Sequence, residues 1–251
     1  MAQTVSLSLT SPQNATTVVP GAAIDWSIEF SVSGGDNQGL ALLIVDLEQN
    51  ANNPSFFDIP HATTIPAAMT NFARPAGITN PGDGAFAGYL GVQRGTAGRL
   101  NLVQIGGAQN TFGQARPPGS GVAESATVVP GVGQAGPQLL AAGSFAAPTA
   151  CGIYTFNLAL PVANVVQQIN NPPSLSPVVG ATVNVTAGSF TVLVAVTGDL
   201  DGNGSVDLTD LSTLLSQFGS TGGTFSADIN GDGSVDLTDL SLLLSNFGGT
   251  C

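Results

Sequence analysis

Asp199-Leu-Asp201-Gly-Asn203-Gly204-Ser205-Val-Asp207-Leu-Thr-Asp210 returns later in the chain as Asp228-Ile-Asn230-Gly-Asp232-Gly233-Ser234-Val-Asp236-Leu-Thr-Asp239. Oxygen-bearing side chains at loop positions one, three, five, nine and twelve, with glycine at six, are what one turn of backbone needs to wrap a hard divalent cation. The expected ion is Ca2+, one in each loop and two in all. Ser205 and Ser234 supply the backbone carbonyl at position seven, and Gly204 and Gly233 take a turn in which a Cβ is penalised. Without metal, two carboxylates in such a loop repel by about 4 kcal/mol at an effective dielectric near 20, so the metal-free loops are expected to loosen. Val206 and Val235 point away from the ion and are expected to join the two loops through a short apolar bridge.

The segment after each loop has helical periodicity. Leu211, Leu214, Leu215 and Phe218 recur at i, i+3, i+4 and i+7, as do Leu240, Leu243, Leu244 and Phe247, which predicts one short amphipathic helix after each loop. Gly219 and Gly248 are expected to stop them. The segment entering the first loop, Phe190 to Gly198, is rich in β-branched residues and reads as a strand, so each repeat is half of an EF-hand.

These residues resemble the dockerin domains, in which paired calcium loop and helix repeats bind cohesin domains of extracellular bacterial assemblies. Aspartate at position twelve (Asp210, Asp239), valine at eight and the leucine-spaced helices carry the resemblance over residues 198–251. The closing Phe247-Gly-Gly-Thr-Cys251 is similar to a planctomycete-type variant with a Gly/Cys tail. Dockerins often carry basic residues on the exit helices, where this sequence has Ser216 and Ser245. The resemblance therefore implies an apolar, hydroxylic partner face of Leu208, Thr209, Ser216, Leu237, Thr238 and Ser245, which departs from the face a standard cohesin meets.

The chain has four arginines, no lysine and sixteen acids, eight of them in the two loops. The first 197 residues, with eight acids against four arginines, carry −4 and the tail carries −8, so the acidic balance is mostly metal chemistry. Nucleic acid is an unfavourable partner for such a surface. No apolar run reaches the ~20 residues of a membrane span. Met-Ala-Gln begins with neither a basic nor an apolar leader, so the expectation is a signal peptide already removed and an extracellular or cell-surface address. Cys151 and Cys251 are a hundred residues apart. In an oxidising compartment their pairing would staple the tail to the larger part, while two free thiols or a bond between subunits are the alternatives.

Residues 1–197 are expected to form one β-sandwich domain and 198–251 a second, calcium-binding one. With 8% charged residues, 43% hydrophobic ones, 33 glycines and 16 prolines, the composition favours short strands and turns. Ile24, Trp26, Ile28, Phe30 and Val32 alternate with Asp25, Ser27, Glu29 and Ser31, a strand with one buried and one wet face. Further strands are predicted at 4–9, 39–47, 100–105, 152–160, 181–185 and 189–196. The fold class is thus mainly β, an antiparallel, jelly-roll-like sandwich followed by a small helical domain. Stretches 48–84 and 106–150 read as long, nearly uncharged loops covered by a neighbouring surface. Val-Val-Pro-Gly at 18–21 and 128–131, and Ala-Gly-Ser-Phe at 142–145 and 187–190, hint at reused strand starts. The strand and turn style around Gly152 to Leu158 is loosely similar to cohesin and carbohydrate-binding sandwiches.

No catalytic set is expected, and the chain does not read as an enzyme. His61 has no carboxylate or nucleophile beside it in sequence. The Asp25/Glu29 and Asp46/Glu48 pairs read as solvated strand faces rather than acid/base couples. For carbohydrate, Trp26 reads as core, Tyr89 and Tyr154 are polar-tipped rings, and Phe56 and Phe57 form a platform if exposed. The unifying expectation is a secreted, calcium-stabilised assembly protein whose tail docks onto a β-sandwich. That sandwich belongs to a neighbouring copy, giving a filament or sheet, or to a separate scaffold. The alternative is a carbohydrate-binding or scaffold-anchored component of an extracellular complex.

Overall fold

The computed structural model describes residues 3–57, 59–60, 92–96, 99–108, 128–169 and 177–251. Its strands are β1 (Thr4–Thr10), β2 (Thr16–Val18), β3 (Ala23–Val32), β4 (Leu40–Gln49), β5 (Val92–Thr96), β6 (Arg99–Ala108), β7 (Gln138–Ala146), β8 (Gly152–Val166), β9 (Val178–Ala187) and β10 (Ser189–Val194). Two helices complete the order, α1 (Leu208–Gln217) and α2 (Leu237–Ser245).

Alternation decides which faces meet. In β1 and β3, Val5, Leu7 and Leu9 and Ile24, Trp26, Ile28 and Phe30 are buried while their neighbours are wetter, since successive side chains of a strand point to opposite faces. One layer runs β9-β1-β3-β7 and the other β5-β6-β4-β8, with β10 against β8 and β2 against β10. The apolar faces of both layers share one core, in which Leu7, Trp26 and Phe30 join Leu43, Val45, Tyr154, Phe156 and Val192. Most pairings are antiparallel, but β1 lies parallel to β9 and β10 parallel to β2. Hydrophobic alternation carries no information on strand direction, so these two parallel contacts were not readable from it.

β8 links the layers. One of its edges pairs with β4, while the other pairs with β10 over Gly152 to Asn157 and then with β9 over Ala163 to Val166. Between those stretches the β4 register slips and Leu160 sits at φ 46°. This is a bulge, and the local bend it makes turns β8 from one neighbour to the next.

Two sequence expectations change. The stretch 106–150 is not one loop, because β6 reaches Ala108 and β7 lies inside it. β7 escaped notice because Ala141, Ala142, Gly143 and Ser144 are small, and the reason for their size is across the pair: a Cβ on Gly143 would stand 2.6 Å from Trp26 Cζ2. Asp46, expected on a solvated face, is only 1% exposed, whereas Asp25 and Glu29 are exposed. The stretch after β4 is held by Asn53, whose side chain accepts the Thr155 N–H at 2.9 Å and donates to the Thr155 carbonyl at 3.1 Å. This places Phe57 in an aromatic row with Phe145, Phe156 and Phe190, at successive centroid distances of 5.2, 5.0 and 4.9 Å. Both Ala-Gly-Ser-Phe copies thus deliver a phenylalanine to the same row. His61 and Tyr89 lie outside the described residues.

Removing the Trp26 indole leaves a cavity that close-packed neighbours fill only in part. Trp26→Ala should destabilise the sandwich by about 3–5 kcal/mol, whereas Ile153→Ala, at a side chain 62% exposed, should change it by under about 0.5 kcal/mol. Urea unfolding followed by tryptophan-independent circular dichroism checks both.

Candidate metal centre

Each acidic loop is organised by its own carboxylates accepting backbone N–H groups. Asp199 Oδ1 accepts from Gly202 N at 2.8 Å and Asn203 N at 3.2 Å, and its Oδ2 accepts from Gly204 N at 2.8 Å. Asp228 repeats this with Gly231, Asp232 and Gly233 at 2.9, 3.1 and 2.8 Å. The turn that aims three N–H groups at one carboxylate requires Gly204 and Gly233 at φ 88° and 87°, where a Cβ is penalised. Positions three and five exchange chemistry between loops. Asn203 donates its amide to Asp201 at 3.0 Å, and Asn230 donates to Asp232 at 2.9 Å, so each loop pairs one amide with one carboxylate there.

Position twelve closes the loop. Asp210 and Asp239 have no solvent exposure, and each binds three backbone N–H groups. Asp210 accepts from Leu200, Asp201 and Asp207 at 2.7, 3.2 and 2.8 Å, and Asp239 from Ile229, Asn230 and Asp236 at 2.8, 3.2 and 2.8 Å. Burial pushes both carboxyls up, but the backbone N–H donors, Asp207 and Asp236 foremost, outweigh it and hold both below the ordinary carboxylate range. Asp207 and Asp236 cap the helices, accepting from Thr209 N and Thr238 N at 2.7 Å, and with Asp210 and Asp239 form reciprocal capping boxes. One polar network therefore fixes both the loop and the helix start.

One carboxylate oxygen from each of Asp199, Asp201 and Asp210 lies within 4.8 Å of the others. A carboxylate has about four lone-pair sites, so binding one to three N–H groups leaves capacity for a cation. This all-oxygen donor set fits a hard cation such as Ca2+, which would supply the positive charge that offsets the convergence of carboxylates. Ser205 and Ser234 sit at position seven of loops with matching backbone, and Asn203 and Asp232 bind the Ser205 and Ser234 N–H groups at 2.8 and 2.9 Å.

Val206 and Val235 join the two loops through an apolar contact, as expected, while their backbones pair with other segments. Both valines are buried in a second apolar cluster with Leu214, Ala227 and Leu243. Ser234 bridges Thr221, with Val235 N donating to Ser220 O at 2.9 Å, while Ser205 bridges Thr250, with Val206 N donating to Gly249 O at 2.9 Å. The segment leaving each helix thus clasps the loop of the opposite repeat. Sequence reading missed these clasps, although Phe218-Gly-Ser-Thr221 and Phe247-Gly-Gly-Thr250 stand at matching places after the helices. The helices end two and three residues before the turn glycines, with Gly219 and Gly248 at φ 84° and 81°.

The expected partner-face residues lie exposed in two equivalent sets, Leu208, Thr209 and Ser216 on α1 and Leu237, Thr238 and Ser245 on α2. Leu215, Phe218, Leu244 and Phe247, members of the apolar periodicity, are also exposed, and the inward side of the helices is carried by buried Leu214 and Leu243 with partly buried Leu211 and Leu240. A helix of three turns packed against one small neighbour buries a stripe narrower than the full i, i+3, i+4, i+7 set. Cys151 and Cys251 are bonded, with Cα atoms 5.3 Å apart.

Residues 197–247 match the dockerin type I domain. Dockerin domains are generally calcium-binding and bind cohesins. No curated protein matches the chain. The chain is also similar to solved structures. One is the seventh ScaB type I cohesin from Pseudobacteroides cellulosolvens, at 11% identity and TM-score 0.38, covering 77% of this chain and 92% of that one. Another is the sixth cohesin of Acetivibrio cellulolyticus scaffoldin B, solved in complex with a Cel5 dockerin, at 11% identity and TM-score 0.36, covering 77% and 99%. Among the described residues no helix is long and apolar enough to cross a membrane.

The dockerin segment should respond to acid in a definite direction. A carboxyl held below its unfolded value contributes stability that is complete above that value and is lost as pH falls through the folded one. Amide protection of residues 199–210 and 228–239 should therefore fall with acidification below about pH 4, and Asp239→Ala should abolish protection of its own loop at neutral pH. Hydrogen exchange resolved by residue checks both.

Proposed function

We propose that this chain is a secreted, calcium-stabilised assembly component rather than an enzyme. Residues 1–197 form its β-sandwich unit and residues 198–251 its docking module, which holds two Ca2+ ions. Asp199, Asp201, Asn203, Asp207 and Asp210, with the Ser205 carbonyl, take the first ion. Asp228, Asn230, Asp232, Asp236 and Asp239, with the Ser234 carbonyl, take the second.

The observation that carries the docking role is the pair of matching exposed apolar faces beside the two loops. Leu208 and Leu237 are each 72% exposed, and each is followed by an exposed threonine. A small tail that leaves its leucines outside while burying its position-twelve aspartates has an apolar surface suited to a partner. With Ser216 and Ser245 completing it and no basic side chain on either helix, the face suits an apolar, hydroxyl-bearing sandwich surface. The acceptor sandwich belongs to another copy of this chain or to a scaffold. In the first case each copy offers one tail and one acceptor, a head-to-tail contact that extends unless its rotation closes a ring.

The carbohydrate reading has less support than the docking one. Tyr154 is buried with its hydroxyl donating to Ala150 O at 2.9 Å, and Phe57 packs in the aromatic row, which leaves Phe56 exposed without either as a stacking neighbour.

Light scattering and electron microscopy of the full chain test the proposal. Calcium should produce assemblies, or capture of a scaffold sandwich, that a chelator dissolves, and Leu208→Asp with Leu237→Asp should prevent association while ion binding persists. Monomers indifferent to calcium and chelator that bind a glycan array instead would contradict it.

A further inference from the structure

The two clasps are alike in hydrogen bonding and unlike in how they are held. The clasp of the second loop lies close in sequence to the strand it pairs, Thr221 to Ser234, whereas that of the first spans Ser205 to Thr250. Closing the longer of these two loops is disfavoured by about sixfold, because closure probability falls as the three-halves power of loop length. Yet both clasps make the same contacts. Gly222 N donates to Gly233 O at 2.9 Å, and Cys251 N donates to Gly204 O at 2.9 Å, so Gly222 and Cys251 occupy equivalent places in the repeat.

At that place the more distant clasp carries a covalent tie. Cys251 is bonded to Cys151, the residue before β8. Cys151 is well anchored, because the preceding Ala150 carbonyl accepts the hydroxyl of buried Tyr154, and the next residue, Gly152, pairs with Val194 at the end of β10. From Val194 the chain runs through Val196, whose carbonyl accepts Asp199 N at 3.1 Å, directly into the first ion loop. A ring therefore closes: the β8–β10 pair, the linker, the first loop, residues 249–251 and the disulfide. The second loop has no such ring.

We propose that Thr250 and Cys251, held by Cys151, are positioning residues for the first calcium loop alone, so that the disulfide sets the affinity of one ion site and leaves the other to its local clasp. The inference rests on the reading that both loops take Ca2+. Without the bond, residues 249–251 leave Gly204 to Val206 for part of the time, and the apparent affinity falls by the fraction of molecules still clasped.

The test is a calcium titration of the full chain, monitored by residue-resolved NMR at Gly204 and Gly233. In Cys151→Ser with Cys251→Ser, the midpoint read at Gly204 should rise about tenfold if about a tenth of the molecules remain clasped, while that at Gly233 moves less than about twofold. Deleting Thr250 and Cys251 from Cys151→Ser should move Gly204 at least as far. Equal shifts at both glycines, the signature of general destabilisation, or no shift at either, would overturn the proposal. If neither glycine of the native chain responds to calcium, it is the calcium reading that fails. A readout independent of folding variants is amide exchange in the native calcium-bound chain. Val206 N–H should exchange as slowly as Val235 N–H, and a markedly faster Val206 would also contradict the proposal.

Discussion

Carboxylates crowded into one turn of backbone are the constraint on which the C-terminal part of this molecule depends. Asp199, Asp201 and Asp210 bring oxygens within 4.8 Å of one another, a concentration of negative charge that no lysine or arginine in the tail offsets. What keeps them together is backbone: three N–H groups on Asp199, three on Asp210, and the same again on Asp228 and Asp239. Charge-assisted hydrogen bonds of this kind are stronger than neutral ones. They leave each carboxylate with unused lone pairs, which would suit the hard cation proposed for each loop.

That constraint shapes the rest of the tail. The position-nine aspartates cap α1 and α2, so loop and helix rise or fall together. Val206, Val235, Leu214 and Leu243 make a small apolar cluster that does not merge with the large one inside the sandwich. Because that cluster is small, the tail has little apolar burial to stabilise it, which increases the weight of the loops, the reciprocal clasps and the Cys151–Cys251 bond. The leucines and phenylalanines left outside are available for a partner.

Much of this was legible in the residues, for specific reasons. The loops are readable because ligand chemistry demands oxygen at fixed positions, and two copies satisfy it. β3 is readable because Ile24 to Val32 alternates without interruption, and the structure places it from Ala23 to Val32. β7 was hidden because its residues are small to make room for Trp26, a reason that exists only across the pair. The clasps were hidden because Gly-Gly-Thr and Gly-Ser-Thr read as turns until their partner strands are known. The burial of Asp46 and the inward turn of Phe57 were likewise decided by neighbours remote in sequence, which single-strand periodicity does not register.

The most direct measurement combines a count of bound calcium by native mass spectrometry with hydrogen exchange across residues 198–251, before and after chelation. Two ions per chain are expected, with a tail whose amides lose protection when the ions leave, while those of the sandwich do not. A tail that binds no calcium and remains equally protected in chelator would contradict the role assigned to the loops.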